Sequence, residues 1–219
     1  MRTRLVILGT AGNSIDILDL LESLHEQDRN GSYECVGFLD DAPELHRTQI
    51  RGIPILGPLA AARELPDCMF VNGIGSPNTF TKKAEIISRA GVPTDRFVTI
   101  VHPSASVSRT ALLGRGTVIF PNVTIASNVR IGDHVIILSN SVINHDASIG
   151  DCVCITSGVC VSGGVTIGRS TYLGSNCSII EQIAIGERCL VGMGSVVLNR
   201  VADNSIVVGN PARFLRHSV

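Results

Sequence analysis

The second half of this chain repeats every six residues. From Val101 to Val197 every sixth residue is Ile, Leu or Val, which makes seventeen such positions in succession. The fourth residue after each of them is small or β-branched, as at Ala105 and Thr117. A period of six fits neither a 3.6-residue helix nor a flat strand, but it fits a chain that runs straight, turns a corner and stacks on itself. The pattern predicts a parallel β-helix over about residues 101–202, with three hexads in each triangular coil.

Composition narrows the class of partner. The net charge is −1, only two lysines accompany sixteen arginines, and no basic run marks a nucleic-acid footprint. Trp is absent and aromatic residues are 4% of the chain, so bases have no stacking platform. No apolar run approaches the roughly 18 residues that cross a bilayer. A small, weakly charged partner is therefore favoured over nucleic acid or membrane.

Cysteine usage indicates a reducing compartment. The seven cysteines are an odd number without paired spacing, and the apolar start of the chain is interrupted by Asn13 and Asp16 before it reaches the length of a signal peptide. We therefore expect a cytoplasmic protein whose first apolar run, from Leu5, is a strand.

The first hundred residues alternate strand and helix patterns, which is typical of a small parallel α/β sheet. Apolar runs predict strands at 5–8, 35–39 and 68–72, and helices from Ile15 and over about 81–90. The sequence thus predicts a Rossmann-like domain over residues 1–98 and a β-helix domain with a C-terminal tail over 99–219.

Glycine turns and carboxylates follow these strands. Gly9 and Gly12 follow the first strand, but Ile15 stands where a dinucleotide fingerprint needs a third glycine, so NAD binding is disfavoured. Backbone N–H groups beside Asp40 and Asp41 suit a nucleotide that bears phosphates. The other interpretation stays open: the glycines only permit tight turns, and the two aspartates form an ordinary solvated turn.

Tandem units such as Ile131-Gly-Asp, Ile149-Gly-Asp and Ile167-Gly-Arg resemble the hexapeptide-repeat acyltransferases, whose repeat domain is a left-handed β-helix. The order of the two domains resembles the sialic acid O-acetyltransferase type, which includes bacterial enzymes that acetylate 4-amino sugars on nucleotide carriers. This resemblance implies acetyl-CoA as co-substrate, no metal, and a homotrimer with the CoA site between subunits. It also implies a tail, Val208 to Arg216, that either leaves the helix or caps the last coil.

The resemblance also implies which residues bind the nucleotide-sugar. They lie in three loops of the first domain: Gly9, Ala11, Gly12 and Asn13; Asp40 and Asp41; and Gly73, Ile74, Gly75 and Asn78. The family usually has His where Asn13 stands here.

Acyl transfer to an amine needs a base, a donor for the oxyanion and the positioning of both substrates. Among the repeat histidines only His145 is followed directly by a carboxylate, Asp146, in a predicted corner, which favours it as the base. His102 and His134 are interpreted as structural, and the three histidines offer no convincing zinc set. Some family members carry a second His nine residues after the base, where this chain has Cys154. Cys152 and Cys154 are interpreted as packing residues rather than nucleophiles.

The remaining site residues follow from the resemblance. Gly163, with Gly164, is expected to bring a backbone N–H to the thioester carbonyl, although a simple corner is the alternative. CoA is expected along Ser175, Gly192, Met193 and Gly194. The CoA phosphates would be met by arginines among Arg188, Arg200, Arg213 and Arg216, because the repeat domain has no lysine.

The sequence therefore predicts an acetyl-CoA-dependent N-acetyltransferase acting on a nucleotide-linked amino sugar in bacterial surface-glycan biosynthesis. Two alternatives remain at this stage: an O-acetyltransferase of the sialic-acid type, and a non-catalytic trimeric scaffold that binds nucleotide-sugars.

Overall fold

A computed structural model describes residues 2–26 and 33–219 of the chain. The chain divides into two compact units, one formed by Met1–Ile74 and Ala84–Thr99 and the other by Gly75–Lys83 and Ile100–Val219. Both parts of the predicted architecture, an α/β unit and a parallel β-helix, are confirmed. The second unit includes a short segment from the first hundred residues, which the repeat pattern alone did not indicate.

The first unit is built around one sheet. Its elements are β1 Thr3–Leu8, α1 Gly12–Glu26, β2 Tyr33–Leu39, β3 Gln49–Ile50, β4 Ile53–Gly57, β5 Met69–Asn72 and α2 Lys83–Ser88, whose first residue is assigned to the second unit; 3-10 turns lie at Pro43–Leu45, Leu59–Glu64 and Thr94–Arg96. A further 3-10 turn, Phe80–Lys82, belongs to the second unit. The strand order is β3-β4-β2-β1-β5, parallel except for the antiparallel pair β3–β4. The helix predicted over about 81–90 is shorter in the structure, because a 3-10 turn precedes it.

The central strand β1 explains this layout. Its last four residues, from Leu5 to Leu8, are fully buried, as expected of a parallel strand covered on both faces. Helix α1 contributes Ile17 and Leu20 to the same core. Because β1, β2 and β5 run parallel, the loops that follow them leave from one edge of the sheet.

The second unit consists of very short strands. They are β6 Ile100–Val101, β7 Ser106–Val107, β8 Leu112–Leu113, β9 Val118–Ile119, β10 Thr124–Ile125, β11 Arg130–Ile131, β12 Ile136–Ile137, β13 Val142–Ile143, β14 Ser148–Ile149, β15 Cys154–Ile155, β16 Cys160–Val161, β17 Thr166–Ile167, β18 Tyr172–Leu173, β19 Ser178–Ile179, β20 Ala184–Ile185, β21 Leu190–Val191, β22 Val196–Val197, β23 Ser205–Val208 and β24 Arg213–His217. They form three sheets, with the orders β22-β19-β16-β13-β10-β7, β20-β17-β14-β11-β8 and β24-β23-β21-β18-β15-β12-β9-β6.

The hexad residues stack in register inside the coils. Ile131 pairs with Ile149, which pairs with Ile167, so each aliphatic side chain lies on its equivalent one coil away. Ile131, Ile149 and Ile167 are at most 5% exposed. Burying an aliphatic side chain of this size stabilises a fold by about 1.5–3 kcal/mol. Buried polar side chains also have hydrogen-bond partners: the hydroxyls of Thr117 and Thr171 each donate to a backbone carbonyl at 2.9 Å.

Corners between the short strands use left-handed backbone. Asn128, Asp146 and Gly164 follow one another down one corner of the stack, each with φ between 60° and 66°. Asn, Asp and Gly tolerate this region best, which is why such residues recur at the corners. The corners thus carry polar residues while the sheets stay apolar inside.

The tail remains on the β-helix. β23 pairs in parallel with β21, and β24 folds back antiparallel on β23. It therefore continues one sheet of the stack, with Phe214 and Leu215 more than half exposed. Among the described residues, no helix is long and apolar enough to cross a membrane.

Buried thiols make the stability of this protein sensitive to alkaline pH. Burial raises the pKa of Cys35 and Cys152 from 9.0 to about 11 and that of Cys177 to about 12. The unfolded chain therefore loses these protons at lower pH than the folded chain, and the free energy of unfolding should fall as pH rises from about 9 towards 11–12. Thermal denaturation measured between about pH 8 and about pH 10.5 tests this.

Cys177→Ala should weaken that pH dependence, because it removes the thiol whose pKa is raised most. The control is Val159→Ala, at an equally buried position without a thiol, which should lower the melting temperature and leave the slope unchanged. Equal slopes in the wild type and Cys177→Ala would contradict the assignment.

Candidate active site

His145 and Asp146 occupy a solvent-exposed corner between β13 and β14. The imidazole Nδ1 lies 2.8 Å from Asp146 Oδ2, and both side chains are more than half exposed. An ionised carboxylate only accepts hydrogen bonds, so Nδ1 carries the proton and Nε2 offers its lone pair to solvent. The pKa of the Asp146 carboxyl lies below its ordinary value, first because His145 and then because Asn128 donates a hydrogen bond to it. The pair thus has the form of an oriented base.

Gly163 lies against this imidazole, one coil further along. A Cβ at this position would be 2.8 Å from His145 Cε1 and 2.9 Å from Nε2, so any side chain would displace the ring. The next residue, Gly164, donates its N–H to the His145 carbonyl at 2.9 Å. Within residues 2–26 and 33–219, the Gly163 N–H meets no hydrogen-bond acceptor. A base and a backbone donor therefore stand side by side, as acyl transfer requires.

The other two repeat histidines lie in different surroundings. Burial lowers the pKa of His102, whose Nδ1 lies 2.8 Å from Ser104 Oγ. Burial, and then the positive charge of Lys83, lowers the pKa of His134. The His102 ring contacts a hydroxyl group, whereas the His145 ring contacts a carboxylate. Among the residues that the structure describes, no three His, Cys, Asp or Glu side chains gather as a metal site would need.

Lys83 and Cys154 form a buried contact that the sequence did not suggest. Lys83 is fully buried and its Nζ lies 3.4 Å from Cys154 Sγ, within the second unit. Nearby, Phe80 packs against Tyr172 with ring centroids 6.2 Å apart. The position of the family's second histidine is thus a packing position here. For neighbouring Cys152, burial raises the pKa to about 11, which argues against a thiolate nucleophile.

The residues expected to bind CoA lie on another corner of the coil. Gly194 donates its N–H to the Ser175 carbonyl at 2.8 Å, so the two are stacked one coil apart. Met193, between Gly192 and Gly194, is 79% exposed. His145, between β13 and β14, and Gly163, between β16 and β17, stack on one corner of the β-helix, whereas Ser175 lies on another corner, between β18 and β19. Within one chain these two groups are therefore not brought together.

Two loops of the first unit, those after β1 and β5, lie against each other at one edge of the sheet. Gly9 has φ +88°, and a Cβ there would lie 3.0 Å from Ile74. Gly73 donates its N–H to the Leu8 carbonyl at 2.9 Å, next to the same turn. Ala11, Gly12 and Asn13 open helix α1, with the first two exposed. The turns after β1 and β5 therefore touch, as a shared ligand edge requires.

Ser14 is a residue of this edge that sequence reasoning missed. Its side chain is fully buried in α1, and its Oγ has no hydrogen-bond partner among the described residues. A Cβ at Gly73 would lie 2.1 Å from that oxygen, so the glycine exists to let the helix approach β5. The signal was available: a small residue takes the role that a third glycine has in the dinucleotide fingerprint.

The two carboxylates after β2 are already engaged by protein groups. Asp40 accepts hydrogen bonds from the Thr10 hydroxyl at 2.7 Å and the Ala42 N–H at 3.0 Å. Asp41 accepts from the Leu59 N–H at 2.9 Å and pairs with Arg89 at 3.1 Å. Both residues hold loops in place, and a role in ligand binding stays a prediction.

Gly75 and Asn78 belong to the second unit, in the segment Gly75–Lys83. The Asn78 N–H donates to Ser76 Oγ at 3.3 Å and its side chain is exposed. The predicted substrate residues are thus divided between the two units.

Comparison with known proteins agrees with both units. Residues 4–87 match the PglD N-terminal domain, and residues 110–145 and 164–199 match the bacterial transferase hexapeptide, a family of six repeats. A UDP-N-acetylbacillosamine N-acetyltransferase of Bacillus subtilis is 40% identical over 65 residues, which are 28% of this chain and 29% of that relative. The match thus spans less than a third of the curated relative.

Solved structures resemble nearly the whole chain. A GDP-perosamine N-acetyltransferase variant of Caulobacter crescentus, solved with CoA and GDP-perosamine, is 26% identical with a TM-score of 0.80, and the match covers 97% of this chain and 96% of that one. The acetyltransferase domain of PglB from Neisseria gonorrhoeae shares the fold at 23% identity and a TM-score of 0.83, over 98% of this chain and 100% of that one. The chain therefore carries a PglD-type N-terminal domain followed by bacterial transferase hexapeptide repeats.

Proposed function

We propose that this protein is an acetyl-CoA-dependent N-acetyltransferase that acts on the amino group of a nucleotide-linked amino sugar. The observation that carries the proposal is the exposed pair of His145 and Asp146 against Gly163, at a corner where a base and a backbone donor are adjacent. The substrate class is a sugar of the 4-amino-4,6-dideoxy type, and the setting is bacterial surface-glycan biosynthesis in the cytoplasm. Relatives with these substrates, on GDP or UDP carriers, support that choice.

The chemistry is a direct transfer. The sugar amine attacks the thioester carbonyl of acetyl-CoA, and His145 Nε2 takes the proton that the amine loses. Asp146 stabilises the resulting imidazolium through Nδ1. The Gly163 N–H donates to the oxygen of the carbonyl as it gains negative charge. When the C–S bond breaks, the CoA sulfur leaves as a thiolate and the acetamide is formed.

The first unit is proposed to select the substrate. The turn after β1, which contains Gly9, leads into the 15-residue helix α1, whose first residues are Gly12 and Asn13. Such a terminus favours phosphate groups. Asp40 shapes this turn through Thr10, so we assign it a supporting role beside the nucleotide.

CoA is proposed to lie along Ser175 and the glycines that flank Met193. The Ser175 hydroxyl donates to Thr156 Oγ1 at 3.1 Å and is held in place. Further along, Arg200 and Arg213 line a surface cavity of about 310 Å³ at the end of the stack, together with Phe214. Guanidinium groups beside an aromatic ring suit the phosphates and adenine of CoA.

The assembly proposed is a homotrimer. His145 and Ser175 lie on different corners of the β-helix, so a complete site needs the base of one chain and the cofactor residues of the next. A closed ring of three identical chains supplies three such sites.

Replacing the base should remove activity. His145→Ala should lower kcat by about 10²–10⁴ because no other group is placed to accept the proton. CoA release is measured with a thiol reagent, using UDP-, GDP- and dTDP-linked 4-amino sugars as acceptors. His102→Asn, which changes a repeat histidine outside the site, is the control and should retain activity. Unchanged turnover in His145→Ala would refute the assignment, and turnover only with sugar hydroxyls would indicate O-acetylation.

A side chain at Gly163 should displace His145. Gly163→Ala places a methyl group 2.8–2.9 Å from the imidazole, and we expect kcat to fall at least about tenfold through misplacement of the base. The melting temperature should change little, because the ring can turn into solvent. The control is Arg169→Ala, at the equivalent hexad position on the third corner, between β17 and β18, and it should retain activity. Full activity in Gly163→Ala would show that the close contact has no role in catalysis.

A shared site predicts complementation between two inactive variants. His145→Ala lacks the base, and Met193→Glu puts a charge into the proposed CoA groove at a position that is 79% exposed. After equal mixing, unfolding and refolding, about a quarter of the sites should hold both intact residues and regain activity. Light scattering should give three times the mass of the chain. No recovery, with both variants still trimeric, would place the site within one chain.

A further inference from the structure

Asn128 lies one coil before Asp146, at the same corner of the β-helix. Its Nδ2 donates to Asp146 Oδ1 at 3.0 Å. The other carboxylate oxygen, Oδ2, lies 2.8 Å from His145 Nδ1. We propose that Asn128 is a positioning residue for the base: it holds the carboxylate in the plane from which Asp146 can orient His145. This inference rests on the proposed function, because it assigns a role toward the same base.

The carboxylate needs such a partner. Asp146 is more than half exposed, and the last torsion of an aspartate is broad and roughly two-fold, so a hydrogen bond to one oxygen leaves the group free to turn. Donors on both oxygens fix its plane. With Oδ1 held by Asn128, Oδ2 faces Nδ1, and the imidazole keeps the tautomer whose Nε2 can accept a proton.

Asn128 is itself held by a contact with the preceding coil. Its backbone N–H donates to Thr110 Oγ1 at 2.9 Å, and its φ is 60°. The Asp146 N–H donates to the Ser127 carbonyl at 3.0 Å, so the two corners are in fixed register. A line of contacts, Thr110 to Asn128 to Asp146 to His145, therefore runs down the corner to the reacting nitrogen.

A second corner of the same protein repeats this arrangement without the chemistry. The Asn122 N–H donates to Ser104 Oγ at 3.0 Å, and its Nδ2 donates to Asn140 Oδ1 at 3.4 Å. Asn122 also has a left-handed φ, 58°. Its acceptor is an amide and not a carboxylate. Each asparagine thus links two successive coils at a corner, and of the two only Asn128 contacts the catalytic pair.

The test compares these two positions. Asn128→Gly keeps the left-handed backbone and removes the amide, and Asn128→Asp keeps the shape but replaces the donor by a second carboxylate. We expect kcat to fall about fivefold in Asn128→Gly, the worth of one hydrogen bond, with KM for both substrates unchanged. Asn128→Asp should fall further and partly recover at high salt, since screening weakens the repulsion from Asp146. Asn122→Gly and Asn122→Asp should retain the wild-type kcat and match their counterparts in melting temperature.

The tautomer of His145 gives a readout that does not depend on turnover. In protein labelled with ¹⁵N-histidine, the His145 ring is assigned by its loss in His145→Asn. At a pH where the ring is neutral, the wild type should show Nδ1 protonated and Nε2 unprotonated, and Asn128→Gly should show a mixture of the two tautomers. The Asn122 variants should match the wild type.

The outcomes separate the two proposals. Equal kcat in Asn128→Gly and Asn122→Gly, or an unchanged tautomer in Asn128→Gly, overturns the role of Asn128. A wild type that transfers acetyl to no amino sugar overturns the proposed function, and the tautomer still tests whether Asn128 orients the ring. Should Asn128→Gly fail to fold, the isosteric Asn128→Asp gives the same comparison.

Discussion

The second unit depends on one constraint, the parallel pairing of each short strand with the strand one coil further along. Ile131, Ile149 and Ile167 are in direct register, so a residue's position in the hexad decides its neighbours above and below. The aliphatic rows fill the interior and leave no room there for ionised groups. Polar chemistry is confined to the corners, where the backbone turns and side chains meet water. A rigid stack of this kind holds a base on a fixed scaffold, which lowers the reorganisation that catalysis requires.

The same register decides how much of the site could be predicted from the sequence. The period places Gly163 one coil after His145, and the structure finds a contact that no side chain other than glycine permits. Asn128 bears the same relation to Asp146, but its residue type alone gives no sign of the contact, because an asparagine at a corner is already explained by its left-handed backbone. A comparison of Asp146 with the residue one coil earlier would have identified Asn128. The pairing of Lys83 with Cys154 was beyond such reading, since it depends on tertiary packing of a non-repeating segment.

The α/β unit illustrates a different limit. Its strands and glycine turns follow from apolar runs and backbone requirements, and they were predicted. The hydrogen-bond partners of the carboxylates at Asp40 and Asp41 were not predicted, because a sequence gives the type of a residue and not the partners of its oxygen atoms. Asp40 and Asp41 accept hydrogen bonds from Thr10 and Leu59, so their first duty is to shape loops. In our proposal this moves the recognition of nucleotide phosphates towards the turn after β1 and the N-terminus of its helix.

The positions of the corners connect chemistry to assembly. Gly163 and Ser175 are two hexads apart, so the base and the cofactor residues necessarily lie on different corners of a three-sided coil. Adding coils to one chain extends each corner of the β-helix but does not bring residues of two different corners together. A neighbouring chain can do so, because rotation about a three-fold axis brings unlike corners of identical chains together. In our proposal each chain contributes a base to one site and a cofactor surface to another, so the triangular coil that stabilises the chain also makes the complete site a property of the assembly.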